Sequence, residues 1–561
     1  MPHAVLKCHL KTDVRVDVHG PGAASCPVVA GGDDRTLDKW FLDAGERSNP
    51  ASRIRPWTLG NRVAPLVHGS EYFPELYRRL CSTSPGDQVY FADFRGDTEE
   101  RMAGPGTEVG EILADLAGRH VLVFGLIWRS QPGWLDQSEG KNAELARVIS
   151  EAGGQVLLDP RTRRGGSHHQ KFVVIRHSHF PERDVAFVGG IDLGLSRNDD
   201  ASHAGDPQAM EFPEVYGATP PWHDVQCSII GPAVNDVDLT FRERWYGSSP
   251  LDLSSPLRAA LDRVHMAGKL TGRELPEQAA DPPPAGTHAV QILRTYPARL
   301  RRYSFAPLGE RSIDYAYRKA LQRARCLIYL EDQYLWAPFV ADVLADALRA
   351  NPGLHLIAVV PRYPDRDGLS RWPSLAGREQ AIKVCRAAGG DRFGIYDVEN
   401  HEGRAVYVHS KVAVIDDVWS MIGSDNLNRR SWTHDSELSC AVIDTEADGR
   451  SPEDPAGEGD RARRFARSLR LKLMAEHLDR ADTEVDDLID PVKAFRAVKD
   501  NADTLLAWHR GGRRDERPPG RLVPHQPERL PRQHRIWAVP VHRAVYDPDG
   551  RALRDRIRHR P

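Results

Sequence analysis

Two short stretches hold residues able to do chemistry: GGSHHQKFVVIR at 165–176 and HSKVAVIDDVWSMIGSDN at 409–426. Each contains a His-x-Lys, formed by His169 with Lys171 and by His409 with Lys411. On an extended strand positions i and i+2 share a face, so each histidine points with its lysine, and His168 points the other way. Two imidazoles flanked by two ammonium groups suit an anionic phosphorus centre. A neutral imidazole can attack phosphorus and form a phosphohistidine, dividing one difficult displacement into two. A protonated one can supply a proton to the departing oxygen, worth about 10²–10⁴ in rate. The lysines hold the non-bridging oxygens and offset charge that grows in the transition state. Nothing in this scheme requires a metal, and no residue spacing in the chain reads as a metal-ligand cluster.

A bare His-x-Lys should occur by chance roughly 0.5 times in a chain of this composition, so recurrence must carry the argument. His9-Leu10-Lys11 is an ordinary pair, in a polar segment with no apolar strand after it. The other two are related by a constant offset: His169 and His409 differ by 240, as do Lys171 and Lys411, and upstream Asp93 and Gln333. VYFADF (89–94) lies opposite LIYLEDQYL (327–335), and VLVFGLIW (121–128) opposite LIAVVPRY (356–363). All are short β-branched apolar runs bounded by polar residues, which predicts strands. Downstream, KFVVI and VAFVGG answer KVAVID and WSMIGS, with six extra residues in the first connection. DVQCSIIG (224–231) answers ELSCAVID (437–444), which puts Asp224 and Glu437 at equivalent strand starts. A carboxylate on the distal ring nitrogen fixes a histidine's tautomer and stabilises imidazolium, so these two are the candidate orienting groups. Each unit closes on a helix, DVDLTFRERW (236–245) and RARRFARSLRLKLMAEHL (461–478). Strands alternating with helices, in two copies, indicate an α/β protein. Its two homologous α-β-α sandwich halves would form an internal pseudo-dimer with the active site at their interface.

The expected organisation is an N-terminal extension (1–60), a first half (61–250), a linker (251–299), a second half (300–480) and an Arg- and Pro-rich C-terminal tail (481–561) draped over the body. A length of 561 residues exceeds what one core organises. With 40% hydrophobic and 28% charged residues the chain reads as soluble and globular, and a net charge of −3 gives no overall pull toward nucleic acid or anionic membrane. No nucleic-acid partner is expected. The seven cysteines are odd in number, scattered and never in a CxxC pair, which points to a reducing compartment. MPHAVLKCHLKTDVRVDVHG has no apolar signal-peptide core, and no run of 18 apolar residues follows. A cytoplasmic monomer with peripheral membrane contact is therefore expected.

These residues resemble the phospholipase D superfamily. The second stretch matches its His-x-Lys-x4-Asp-x6-Gly-Ser-x-Asn signature at His409, Lys411, Asp416, Gly423, Ser424 and Asn426. The first copy fits at His169, Lys171, Gly189 and Gly190, with Arg176 where the family has Asp. GERSIDYAYRKALQRARCLIYLEDQYL (309–335), PWHDVQCSIIGPAVNDVDLTFRERW (221–245) and NRRSWTHDSEL (428–438) look like the phospholipase D enzymes proper, and the resemblance covers roughly residues 60–480. It implies ping-pong phosphodiester transfer without a cofactor, with His169 as nucleophile and His409 as general acid and then base. It also implies crossed pairing, Glu437 with His169 and Asp224 with His409. The implied substrate is a glycerophospholipid, by default phosphatidylcholine giving phosphatidate and choline, with alcohols able to replace water. A cardiolipin synthase-like phosphatidyltransferase, a superfamily nuclease and a degenerate lipid-binding module are the alternatives. Arg176 lies five residues past Lys171, an odd interval on a strand, so it should face away from the lysine and act on local structure.

Overall fold

The computed structural model describes residues 34–129, 138–246, 272–300 and 302–557. The strands are β1 (Thr58–Val67), β2 (Gln88–Asp93), β3 (Leu122–Trp128), β4 (Gln155–Asp159), β5 (Phe172–Arg176), β6 (Val185–Gly189), β7 (Trp222–His223) and β8 (Val225–Ile230). They continue as β9 (His288–Tyr296), β10 (Glu310–Arg311), β11 (Leu327–Asp332), β12 (His355–Val359), β13 (Phe393–Val398) and β14 (Tyr407–Val408). The last four are β15 (Lys411–Ile415), β16 (Trp419–Gly423), β17 (Glu437–Asp444) and β18 (Leu522–Pro524).

Sixteen of them form one mixed sheet, ordered β18-β13-β12-β11-β15-β16-β17-β9-β1-β8-β6-β5-β2-β3-β4 with β10 on β9. Outward from the central β9–β1 pair both arms repeat one arrangement. A leading strand comes first, then the strand of the orienting carboxylate (β8 or β17), a hairpin (β6–β5 or β16–β15) and three parallel strands. β9 starts inside the stretch expected as linker, and pairs with β17 over eight positions from Glu437↔Thr295 to Asp444↔His288. β18, from the C-terminal segment, adds antiparallel to β13.

Alternation along each strand builds three layers. Tyr90, Ala92, Phe172 and Val174, with Leu327, Tyr329, Val412 and Val414, face the helices Val234–Trp245, Arg464–His477 and Pro491–Arg510. Their strand neighbours Val89, Phe91, Val173 and Ile175 pack on Gly69–Cys81 and Val109–Gly118. Ile328, Leu330, Ala413 and Ile415 do the same on Ser312–Arg323 and Pro338–Ala350. Each fully buried Val, Leu, Ile or Phe among them contributes about 1.5–3 kcal/mol of transfer free energy. Apolar runs covered on both faces therefore read as continuous hydrophobic segments, as these do. Because β2 runs antiparallel to β5 and β11 to β15, the C-terminal ends of β2 and β11 lie beside the N-terminal ends that carry the His-x-Lys pairs. Among the described residues no helix is long and apolar enough to cross a membrane.

Candidate active site

Two short crossed pairings seat the histidines. β14 runs parallel to β7, with Val408 opposite His223, and in the other half a single bridge sets His168 opposite Ser436. The His409 amide donates to the His223 carbonyl at 2.7 Å and the His169 amide to the Ser436 carbonyl at 2.9 Å. His223 and Ser436 each precede an orienting carboxylate, so each histidine arrives against the carboxylate of the opposite half. His169 Nδ1 lies 2.9 Å from Glu437 Oε2, and His409 Nδ1 lies 2.6 Å from Asp224 Oδ2. A carboxylate only accepts, so Nδ1 carries the proton in both rings and the Nε2 lone pair is left for chemistry. His169 is the more open of the two, its side chain 14% exposed against 7% for His409. Burial and the Lys411 charge hold His409 well below the usual histidine range, while burial pushes Asp224 above the usual carboxylate range.

The strand alternation separates reactive from supporting side chains. Lys171 Nζ donates to the His169 carbonyl at 3.1 Å and lies 5.2 Å above the Phe94 ring, which itself meets the His169 ring edge-on. His168 and Gln170 point into the body: Gln170 bonds Tyr296 at 3.0 Å and the Glu437 carbonyl at 3.1 Å. Burial and the nearby Arg244 keep the His168 imidazole neutral, well below its usual range. In the second half Lys411 donates to the His409 carbonyl and to Gln333 Oε1, the latter at 3.3 Å. Burial lowers Lys411 to about 8.

The first half adds two charged groups that sequence reading missed. Asp192 lies 3.5 Å from Lys171 and 3.3 Å from Arg197, whose guanidinium sits 4.2 Å over the Trp222 ring beside His409. Asp192 also meets Asp93; burial and that neighbour push Asp93 well up, so Asp93 is the protonated member of the pair. A signal for Asp192 existed, because it stands three residues after Gly189 as Asn426 stands three after Gly423. Lys171, Arg197 and Asp192 all act electrostatically on His409, so charge from both halves converges at one centre.

Close backbone approach accounts for the glycines. A Cβ on Gly423 would fall 1.9 Å from Ser439 Oγ, and one on Gly190 would fall 2.1 Å from Asp224 Oδ1. Ser424, at the place equivalent to Gly190, donates its hydroxyl to Glu437 Oε2 at 2.6 Å, and its carbonyl lies 3.1 Å from His169 Nδ1. Asn426 is buried behind it. Asp416 sits away from His409 and Lys411, just past the far end of β15. It accepts the amides of Arg325, Cys326 and Leu327 at 2.7, 2.8 and 2.9 Å. Arg176 occupies the matching place in the first half, buried with Asp184 at 3.0 Å, Asp238 at 3.9 Å and the Ala280 carbonyl at 2.6 Å. Asp184 comes from the longer β5–β6 connection, so the arginine and the insertion go together.

The site is a pair of crossed histidine–carboxylate contacts on a sheet of two matching arms, and comparison with known proteins gives the family. Residues 100–340 match the family described as phospholipase D, and residues 318–449 the family described as cardiolipin synthase, PLD-like domain. The chain is 26% identical to phospholipase D alpha 1 of Vigna unguiculata over 463 residues, 61% of this chain and 56% of that protein. It is 25% identical to phospholipase D gamma 2 of Arabidopsis thaliana over 505 residues, 68% of this chain and 58% of that one. The chain thus spans little more than half the length of these relatives. Among solved structures, phosphatidylserine synthase of Haemophilus influenzae superposes with a TM-score of 0.46 at 13% identity, covering 68% of this chain and 82% of that one. The chain belongs to the phospholipase D superfamily.

Proposed function

We propose that the protein is a phospholipase D-type phosphodiesterase that hydrolyses glycerophospholipids to phosphatidate and a free head-group alcohol. The observation that carries this reading is the pair of His-x-Lys strands, each histidine held at Nδ1 by a carboxylate of the other half. His169 Nε2 attacks phosphorus, the bond from phosphorus to the head-group oxygen breaks, and His409 gives that oxygen a proton. His409 then takes a proton from water, the water oxygen attacks phosphorus, and the bond from phosphorus to His169 breaks. Lys171 and Lys411 hold the non-bridging oxygens throughout. Burial and Lys411 keep the free His409 neutral; a phosphodiester anion between the imidazoles raises its proton affinity when the proton is needed.

The relatives named phospholipase D support the substrate class. Phosphatidylcholine is the default substrate: next to Gln333, the partner of Lys411, Tyr334, Trp336, Tyr363, Tyr407 and Asp365 line a narrow cleft of about 10 Å³, and aromatic faces with a carboxylate suit a cationic head group. Arg378, also on its wall, spends its guanidinium on three backbone carbonyls. Both halves lie in one chain, so a monomer holds the whole site, and the scattered cysteines support a cytoplasmic enzyme that meets the lipid surface peripherally. The match to the family described as cardiolipin synthase favours a second reading, in which an alcohol on another lipid replaces water in the second step.

Incubation with mixed phospholipids and, separately, with single-stranded DNA, followed by mass spectrometry of products, tests these readings. Phosphatidate and choline are expected, and they should vanish in His169→Ala and in His409→Ala. Phosphatidylated alcohols as the main product would establish the transferase reading, and activity retained in both variants would overturn the site.

A further inference from the structure

Directly behind β7 lies a second buried cluster that the phosphodiester chemistry does not use. His68 follows the last residue of β1, His203 lies in the connection between β6 and β7, His223 ends β7, and Glu476 comes from the second half's helix Arg464–His477. One donor atom from each of the four lies within 4.8 Å of the others. Glu476 Oε2 is 3.0 Å from His68 Nε2, and Glu476 Oε1 is 3.3 Å from His203 Nε2 and 3.4 Å from His223 Nδ1. His203 and His223 are wholly buried and His68 nearly so.

The outward-facing nitrogens settle the tautomers. His203 Nδ1 lies 3.0 Å from the Trp222 carbonyl, which only accepts, so that nitrogen carries the proton. His223 Nε2 lies 2.8 Å from Glu331 Oε2, so the proton is there. The inward nitrogens, His203 Nε2 and His223 Nδ1, then present lone pairs to Glu476 Oε1, another acceptor. These three atoms are buried and make no hydrogen bond. Against burial, the Glu331 and Glu476 carboxylates raise His223 to about 10, so without a metal a second proton sits on this ring, yet neither inward nitrogen has hydrogen-bond geometry to Glu476 Oε1. The point where they converge therefore calls for positive charge, and a metal ion bound to all the inward atoms supplies it with bonds that a proton on His223 alone does not make.

We propose that His68, His203, His223 and Glu476 bind one divalent transition metal of the zinc class. Three imidazoles and a carboxylate are a donor set for zinc, whereas calcium and magnesium favour all-oxygen sites. Metal bonds of about 2.0–2.1 Å in a tetrahedron put donor atoms about 3.3–3.4 Å apart, as Glu476 Oε1 stands to His203 Nε2 and His223 Nδ1, and the proton that His68 Nε2 donates to Glu476 Oε2 leaves when the metal binds. Glu331 on His223 and the Trp222 carbonyl on His203 are outer partners of the kind that orient metal-bound imidazoles. Four protein donors leave no open position, so the metal is structural. It pins β7, whose His223 carbonyl receives the His409 amide, and it ties the first half to the second half's helix. The His68 amide donates to the Asp224 carbonyl at 2.8 Å, so the same metal also steadies the orienting carboxylate.

The test is metal analysis of the full chain, purified without chelator, by inductively coupled plasma mass spectrometry, together with its melting temperature. About one zinc per chain is expected, with the visible absorption of tetrahedral cobalt(II) after exchange. His203→Ala and Glu476→Gln should each lower occupancy at least about tenfold and lower the melting temperature. His169→Ala should keep its full metal. Folded chain that holds no stoichiometric zinc, as purified and after incubation with zinc, would overturn the proposal; so would full occupancy in both ligand variants. Every readout is independent of phosphodiesterase activity, so the metal and the proposed reaction can fail separately.

Discussion

In the second half Ser424 gives its hydroxyl to Glu437 at 2.6 Å and Glu437 reaches His169; in the first half Gly190 stands at that place and the shorter Asp224 reaches His409. The space a side chain at 190 would need is filled by Asp224 Oδ1 itself, 2.1 Å from where a Cβ would lie. The hairpin ends differ more sharply. In the second half Asp416, at the matching place, accepts three backbone amides, and the acid in ion pairs is its neighbour Asp417, held by Arg467 at 2.9 Å and Arg470 at 2.6 Å from the closing helix. In the first half Arg176 is the base, held by Asp184 and, from the closing helix, Asp238. Duplication has thus kept the geometry at Nδ1 of each histidine while reversing the polarity of the scaffold beneath. What the chemistry requires is the oriented imidazole, and more than one buried ion-pair arrangement provides it.

The largest effects should separate the two histidines. His169→Ala should lower turnover on the order of 10⁴-fold or more, whatever the leaving group. His409→Ala should cost about 10²–10⁴-fold with a choline ester but recover most of that with a nitrophenol leaving group, which departs without a proton. The opposite ranking in steady-state kinetics would exchange the two roles.

Arg176→Asp tests the reversed scaffold. It would set a third carboxylate against Asp184 and Asp238 in a dry site, so destabilisation of about 3–5 kcal/mol is expected in urea titration. Turnover per folded molecule should stay within about threefold. A large loss of turnover at unchanged stability would place Arg176 in the chemistry instead. Gly190→Ser, which makes the first half resemble the second, should cost about 10²-fold in kcat by displacing Asp224. Ser424→Gly, the reciprocal change, removes one hydrogen bond to a charged group and should cost nearer tenfold.

The repeat made the two arms, their strand order of function and the facing of His169 with Lys171 legible, because period-2 alternation and a fixed 240-residue offset are both local signals. β9 was hidden by its neighbours: HAVQILRTY follows a Pro-rich stretch whose linker composition masked the strand. Asp192 could have been found from its place after Gly189, but Arg197, in an unpaired loop of the first half, has no counterpart to betray it. The cluster of His68, His203, His223 and Glu476 left no trace, since its members are separated by up to 408 residues and meet only when β7 docks on the second half's helix. Spacing rules find ligands that share a turn or a strand, not ones gathered by tertiary packing.

The lysines offer the finest comparison. Lys171 faces the Asp192 carboxylate at 3.5 Å, whereas Lys411 faces the neutral Gln333 amide at 3.3 Å. Burial lowers Lys411 to about 8, with Lys171 reinforcing the drop and Asp224, Asp332 and Asp192 opposing it. Its ammonium is therefore present below that pH and lost above it, so its hold on a phosphodiester weakens as pH rises. On the proposed reading kcat/KM should fall about tenfold per unit on the alkaline side, with a free-enzyme limb near 8. Gln333→Glu would give Lys411 the kind of partner Lys171 already has, and should move that limb upward by about one unit. Lys411→Arg should remove it from the accessible range, because guanidinium stays charged. A limb that stays near its original position in both variants would belong to another group, and the difference between the two lysines would then have no bearing on phosphate binding.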